Sequence, residues 1–369
     1  MKINNIIKWT GGKIKELDII DKYSPKGINN YYEPFVGGGS VWINAKAENY
    51  FINDKMDLLI NLYRYIKTQD NEFFTYMNDI VSIWNSVSSW HDKKVKIFMD
   101  IYVSFRDDVI DKKEMQEKIK RFIQENENDL KELIFPFEKD NDIFIKEIQK
   151  DTIRKFNRMK SLEKDTPFSD EDINNNIKTC LLGAVYMYFR HLYNIRYGSQ
   201  QMITMMFIFM RNYCFSNLFR YNDKGEFNVA YGGISYNNKS LLPIIEKYMN
   251  KEIIDKMNKT AIYNQDFDDF LDRDFDEKDF IFLDPPYDTT FSKYGHNSFT
   301  KDDHIRLAQR LRKVSCRWMI IIKYTDFIYD LYKDYNIISY DNTYCQNIKN
   351  RFNENDVKHI IIRNYDDIS

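Results

Sequence analysis

Cysteine and histidine are scarce, at four and five residues in 369. Cys180, Cys214, Cys316 and Cys345 lie far apart without a CxxC pair, and the histidines are equally scattered. Neither a disulfide framework nor a zinc site is therefore expected, and no other metal is called for. Buried free thiols are the simpler reading. No apolar run approaches the roughly 18 residues of a membrane span. The opening stretch MKINNIIKWTGGK has neither the apolar core nor the cleavage site of a signal peptide, which makes a cytoplasmic location the default expectation. An excess of positive charge is missing too. The 54 Lys and Arg against 56 Asp and Glu give a net charge of −2, an unpromising average for a chain that would touch phosphates. No internal repeat is sustained.

What is present is apolar and aromatic substance, 43% and 16% of residues, enough for a large core and, at this length, for two domains. The charge is also uneven. Between Tyr186 and Lys224 the bases Arg190, Arg196, Arg211, Arg220 and Lys224 face a single acid, Asp223, whereas QDFDDFLDRDFDEKDF at Gln265 to Phe280 is strongly acidic.

Residues 29–66 read as strand, glycine turn, helix, strand, helix: a strand ending near Glu33, the turn Gly37-Gly38-Gly39, a helix opened by Ser40, and a strand ending at Asp54. This is the front half of a doubly wound, mostly parallel α/β sheet. The back half comes after residue 260, in AIYNQDF, DFIFLD, RWMIIIKY and VKHIIIRN, with KDDHIRLAQRLRKV as an intervening helix. Residues 70–235 interrupt the pattern with charged, aromatic helical segments. They read as an inserted, mainly helical domain, so that 1–69 and 236–369 form one discontinuous α/β domain. The charge runs between Asp107 and Lys164 are most simply solvated helix faces. RNYCFSNLFRYNDKGEFNVAYGG reads as an aromatic-flanked β-hairpin near 218–232, turning at Asn222 to Gly225.

Three constellations carry chemistry. The glycine cluster is not G-x-G-x-x-G, because Trp42 stands where the third glycine belongs. It is a structural turn or a nucleoside loop, and Asp54 at the next strand end, where an acid can take both ribose hydroxyls, favours the second. KWTGGK puts Trp9 and Lys13 around a flexible double glycine without the spacing of a phosphate loop. In FLDPPY the two prolines fix their own φ and have no N–H for a ladder, so a carboxylate, free carbonyls and a flat ring share one rigid corner at Asp284, Pro285, Pro286 and Tyr287.

Taken together, KWTGGK, YYEPFVGGGSVW (Tyr31 to Trp42), FIND (Phe51 to Asp54), LFRYNDKGEFNVAYGG (Leu218 to Gly233), DPPY and NIKNR (Asn347 to Arg351) resemble the Dam-like adenine-N6 DNA methyltransferases, in the family's α-group order from end to end. The stretch from about 70 to 200 is not explained by the resemblance. The family implies a class I, Rossmann-like fold that uses S-adenosylmethionine, with the insert as a DNA-recognition domain. It implies cofactor contacts from Trp9, Lys13 (toward the carboxylate), Glu33, Phe35, Gly37, Gly39, Asp54 (on the ribose), Asp266, Phe267 and Asp284. It also implies that Phe215, Leu218, Arg220 and Asn222 of the hairpin meet double-stranded DNA, Phe215 by intercalation and Arg220 as a guanine reader. Arg211-Asn212 reverses the family's usual order and Ala230 replaces a usual proline, which bears on sequence specificity rather than on chemistry.

An exocyclic adenine amine is a weak nucleophile because its lone pair is delocalised into the ring. Asp284 and the Pro285 carbonyl suit the task of accepting its protons, and Tyr287 offers a face for an extruded base. The expected activity is site-specific adenine-N6 methylation of duplex DNA, with GATC the first site to test; a cognate restriction endonuclease is a candidate partner whose existence the sequence leaves open. The alternatives are methylation of an RNA adenine or of cytosine N4 in DNA, or a non-catalytic DNA-binding relative. Direct transfer from a sulfonium needs no metal and no cysteine nucleophile.

Overall fold

The computed structural model describes residues 2–9, 11–163, 166–286, 299–341 and 358–366. Tyr287, Cys345 and the NIKNR stretch lie outside the described residues. The chain divides into two compact units, Met1–Gln69 with Lys247–Ser369, and Asp70–Glu246.

The first unit is built on seven described strands: β1 (Asn30–Glu33), β2 (Asn49–Asn53), β3 (Thr260–Tyr263), β4 (Phe280–Leu283), β5 (Arg317–Lys323), β6 (Asn336–Asp341) and β7 (Lys358–Arg363). They lie in the order β3-β2-β1-β4-β5-β7-β6. The first five run parallel, while β7 is antiparallel to both β5 and β6, so the sheet is mixed. Every residue of β4 and the five central residues of β5 are buried, which is why these strands read as unbroken apolar runs rather than alternating ones. The helix Lys301–Leu311 covers the sheet with His304, Leu307, Ala308 and Leu311, an i, i+3, i+4, i+7 stripe. It starts at Thr300 in a reciprocal capping box with Asp303.

The observed elements depart from the expected ones in several places. Strand β6, NIISYD, was not anticipated. The helix expected to open at Ser40 is only a 3-10 turn, Trp42–Asn44. Asn44 fastens this turn to the N-terminal segment, accepting from Ile3 N–H at 2.9 Å and donating to the Ile3 carbonyl at 2.9 Å. A longer helix would overrun Asn49, where β2 begins.

The second unit is helical, with long helices at Asn71–Arg106, Lys112–Glu125, Asp142–Leu162, Asp170–Asn194 and Gln200–Tyr213. Side chains of Asp70, Asp111, Ser169 and Ser199 cap four of them at their N-termini. Helix Asp170–Asn194 is buried without interruption from Thr179 to Tyr186, which makes it the centre of the unit. Residues 236–246, grouped above with the sheet, pack in this second unit. The Asn237 amide donates to the Asn175 carbonyl at 3.1 Å and to Thr179 Oγ1 at 3.0 Å. The expected hairpin is present as two isolated antiparallel bridges, Cys214 to Tyr231 and Tyr221 to Phe227, rather than a regular ladder. Its turn closes with Gly225 N–H donating to the Asn222 carbonyl at 2.9 Å, Gly225 taking a φ of 77°. Cys180, Cys214 and Cys316 are buried free thiols. No described helix is long and apolar enough to cross a membrane.

Candidate active site

Parallel pairing brings the acids together. Glu33 pairs with Ile52 and Tyr32 with Ile281, so β1, β2 and β4 all finish on one edge, where Glu33, Asp54 and Asp284 stand. The chain leaves β1 toward β2 on one side and returns at β4 on the other. The crevice beyond β1 and β4 is thus a topological switch point, the usual place for a ligand in such sheets.

The glycine turn and the KWTGGK arm meet on this edge. Val36 N–H donates to the Asn53 carbonyl at 2.9 Å, Ile6 N–H to the Gly38 carbonyl at 2.9 Å, and Lys13 N–H to Ser40 Oγ at 3.0 Å. The approach is close enough to require bare backbone. A Cβ on Gly38 would lie 2.7 Å from the Ile7 carbonyl oxygen. One on Gly39, whose φ is 73°, would lie 2.5 Å from Tyr63 Oη. Trp9 covers Gly37. Asp54 accepts from Gly37 N–H at 3.1 Å and from Met56 N–H at 3.0 Å, so it fixes the turn to the end of β2. Burial pushes the Asp54 carboxyl above its usual range, against the pull of these backbone donors.

Lys13 was expected to face a cofactor carboxylate. Its ammonium lies 2.8 Å from Asp284 Oδ1 and donates to the Gly11 carbonyl at 2.9 Å, with the lysine side chain only 1% exposed. Burial raises the Asp284 carboxyl and Lys13 opposes the rise. Glu33 is buried and accepts from Tyr31 Oη at 2.6 Å. Its burial lifts it well above the usual carboxylate range, against that hydrogen bond and with the repulsion of Asp284. Burial thus raises both neighbouring acids, and at Asp284 the ammonium of Lys13 opposes the rise. Pro285 is buried and Pro286 exposed.

Asp266 caps the short helix Phe267–Phe270 and pairs with Arg306 at 2.8 Å and Lys55 at 3.6 Å. The Phe267 ring lies 5.6 Å from that of partly exposed Phe35. Sequence reasoning missed Asn53. Its amide donates to the Pro34 and Gln265 carbonyls, each at 3.1 Å, and accepts from Gln265 N–H at 2.8 Å, joining the loops after β1, β2 and β3. The signal was a polar residue ahead of the aspartate in FIND. A cavity of about 650 Å³ lies elsewhere, lined by Leu17, Ile28, Tyr31, Val41 and Phe280; none of the three strand-end acids lines it.

In the second unit, Phe215 and Leu218 are exposed large apolar side chains, on a loop where Ser216 and Asn217 both take a φ of 52°. Arg220 is exposed, and its Nε donates to Asn228 Oδ1 at 3.2 Å. Asn222 is occupied with its own turn, its Oδ1 accepting from Lys224 and Glu226 N–H. Arg211 and Asn212 are buried, the guanidinium 4.5 Å from the Phe219 ring centroid.

Comparison with known proteins follows the same lines. The chain is 25% identical to the Type II methyltransferase M.MjaIII of Methanocaldococcus jannaschii, over 99% of this chain and 100% of that protein. It is 22% identical to the DNA adenine methylase of Escherichia coli K12, over 84% and 76%. It is 32% identical to the Type II methyltransferase M.CviBI of Paramecium bursaria Chlorella virus NC1A, a match that spans 44% of this chain and 61% of that protein. The family model of the D12 class N6 adenine-specific DNA methyltransferases matches residues 9–346, from the tryptophan that covers the glycine turn to beyond β6, and the chain belongs to that family.

Proposed function

We propose that this chain moves the methyl group of S-adenosylmethionine to N6 of an adenine extruded from duplex DNA at a defined site, GATC being the first to test. The observation that carries the reading is Asp284, held by buried Lys13 at the carboxyl end of β4 beside the switch point. The residues present suit the cofactor. A carboxylate has about four lone-pair sites, and backbone donors from Gly37, Met56 and Lys55 engage Asp54 without exhausting them. The glycine turn offers bare backbone, and Phe35 beside Phe267 offers an aromatic shelf for a purine. Trp9, Lys13, Glu33, Phe35, Gly37, Gly39, Asp54, Asp266 and Phe267 would hold it. When bound, it supplies a methyl group already activated by sulfonium charge.

The chain's own part is to prepare the acceptor. Asp284 and the Pro285 carbonyl accept hydrogen bonds from the target amine, localising its lone pair as it turns toward tetrahedral geometry. The two prolines hold these acceptors in register, and Tyr287 stacks on the base. The second unit reads the DNA. Phe215 and Leu218 wedge into the stack, Arg220 reads a guanine edge, and Asn222 shapes the turn that presents them. A cognate restriction endonuclease would recognise the same site, and both would work in the cytoplasm.

The test is sequencing of modified bases in DNA from cells that express the protein. N6-methyladenine at one short motif is the expected result. N4-methylcytosine would reassign the target, and unmodified DNA together with unmodified RNA would leave a binding protein.

A further inference from the structure

The helix Asp142–Leu162 of the second unit is lopsided in charge, with six bases against three acids and no acid after Asp151. Phe144, Ile145, Ile148, Phe156 and Met159 form its buried face. Lys146, Lys150, Arg154 and Arg158 are exposed and recur every four residues. At about 3.6 residues per turn such a row is an inclined ridge on the side away from the buried face, and at about 1.5 Å per residue it is roughly 18 Å long. Glu147 and Asp151 answer only its middle. Lys150 Nζ lies 3.1 Å from Glu147 and the Arg154 guanidinium 3.0 Å from Asp151, yet each acid is 16% exposed against 66% and 73% for the two bases. The acids sit low and the positive heads face solvent. Lys146 and Arg158, at the two ends, form no ion pair among the described residues.

The ridge adjoins the hairpin segment. A Cβ on Gly183 would lie 3.7 Å from Asp151 Oδ2 and 3.6 Å from the Tyr231 ring, and Tyr231 bridges to Cys214. Arg154, paired with Asp151, therefore stands near the base of the hairpin that carries Phe215, Leu218 and Arg220. We propose that this ridge binds the phosphate backbone of the duplex beside the base pairs that the hairpin reads, supplying affinity without regard to sequence. Phosphates recur about every 3.4 Å of helix axis along one strand, so a row this long meets several. A chain with a net charge of −2 gathers here the local positive charge that a polyanion requires. The inference rests on duplex DNA being the substrate.

Fluorescence anisotropy with duplex oligonucleotides, over roughly 50 to 200 mM salt, tests it. The variant combines Lys146→Gln with Arg158→Gln; both side chains are exposed and outside any ion pair, so neither change opens the core or orphans an acid. The slope of log affinity against log salt should flatten by about 1.8, two contacts at about 0.9 each. Affinity should fall alike for preferred and unrelated duplexes, while the single-turnover rate at saturating DNA stays at the wild-type value. Lys146→Arg with Arg158→Lys keeps both charges and should keep the slope. Lys278 and Lys313 supply the control, being exposed residues that lead into β4 and β5 at the edge opposite Asp284. Lys278→Gln with Lys313→Gln removes the same charge and should leave the slope unchanged. An unchanged slope in the ridge variant, an equal change in the control, or a loss confined to the preferred site would each overturn the proposal. Failure of the substrate reading looks different: the wild-type protein would then bind no duplex DNA at any salt, and the proposal would fall with it.

Discussion

Replacing Asp284 by alanine should do two separable things. The first is chemical: one preorganised acceptor is lost at the reacting amine, and removal of such a group costs on the order of 10² to 10³ in rate, about 3 to 4 kcal/mol. The second is structural, because Lys13 is 1% exposed and Asp284 is its ion-pair partner at 2.8 Å. Deleting one member of a fully buried pair costs roughly 3 to 5 kcal/mol. The Asp284 side chain is 21% exposed, so solvent relieves part of that cost and about 2 kcal/mol of destabilisation is the working figure. Urea unfolding measures the second effect and single-turnover methylation the first. The decisive comparison adds Lys13→Met. If an orphaned ammonium causes the destabilisation, the double variant should be more stable than the sum of the single losses allows, by an interaction energy of about 1 to 2 kcal/mol. Strict additivity would refute the buried-pair reasoning, and near-normal turnover by Asp284→Ala would refute the catalytic role.

Asp54→Ala should weaken cofactor binding, read by calorimetry with S-adenosylhomocysteine, while DNA affinity changes little; equal weakening of both would point to a collapsed turn, since Asp54 also holds Gly37 and Met56. Glu33 has a folded pKa well above its unfolded value, so between the two the native state keeps a proton that the unfolded chain has lost, and stability should fall as pH rises above about 4.5. Glu33→Gln should flatten that decline and be the more stable protein in urea at pH 8, and a variant less stable than wild type there would contradict the assignment. Arg220→Ala should cost roughly 1 to 3 kcal/mol at the preferred site and relax preference at one base pair, tested on duplexes varied one base at a time at fixed salt. A uniform loss across all duplexes, with a shallower salt dependence, would move Arg220 to the phosphate backbone.

The parallel half of the sheet was legible because burial on both faces leaves strands with no polar register to hide. FIFL and RWMIII are strands to any reader who sees apolar β-branched and aromatic runs bounded by turn residues. NIISYD was harder. Its two consecutive isoleucines give neither alternation nor a long run, and as the terminal strand of the sheet, paired only with β7 among the described residues, it has less apolar surface to advertise. The helix expected at Ser40 failed for another reason. Local propensity in GSVWINAKAE permits a helix, but the backbone beyond Asn44 must reach β2 within a few residues, and Asn44 is bonded to Ile3, 41 positions away. Tertiary contact overrode the local preference.

The site divides in the same way. Glu33, Asp54 and Asp284 are each recognisable as acids at strand ends, and parallel pairing alone puts them on one edge. Their partners are another matter, since a pairing such as Lys13 with Asp284 spans the whole inserted unit and leaves no periodic trace. A lysine after two glycines can equally meet a ligand's carboxylate or the protein's own, and only the topology decides that this one is buried against β4. Glu16 carries the point furthest. In KIKELDII nothing in the local pattern singles it out. It is buried where Tyr340 and His359 arrive from β6 and β7, more than 300 residues later. Polar groups stay buried only where such partners converge, and partners drawn from the far end of the chain leave no mark on a local sequence pattern.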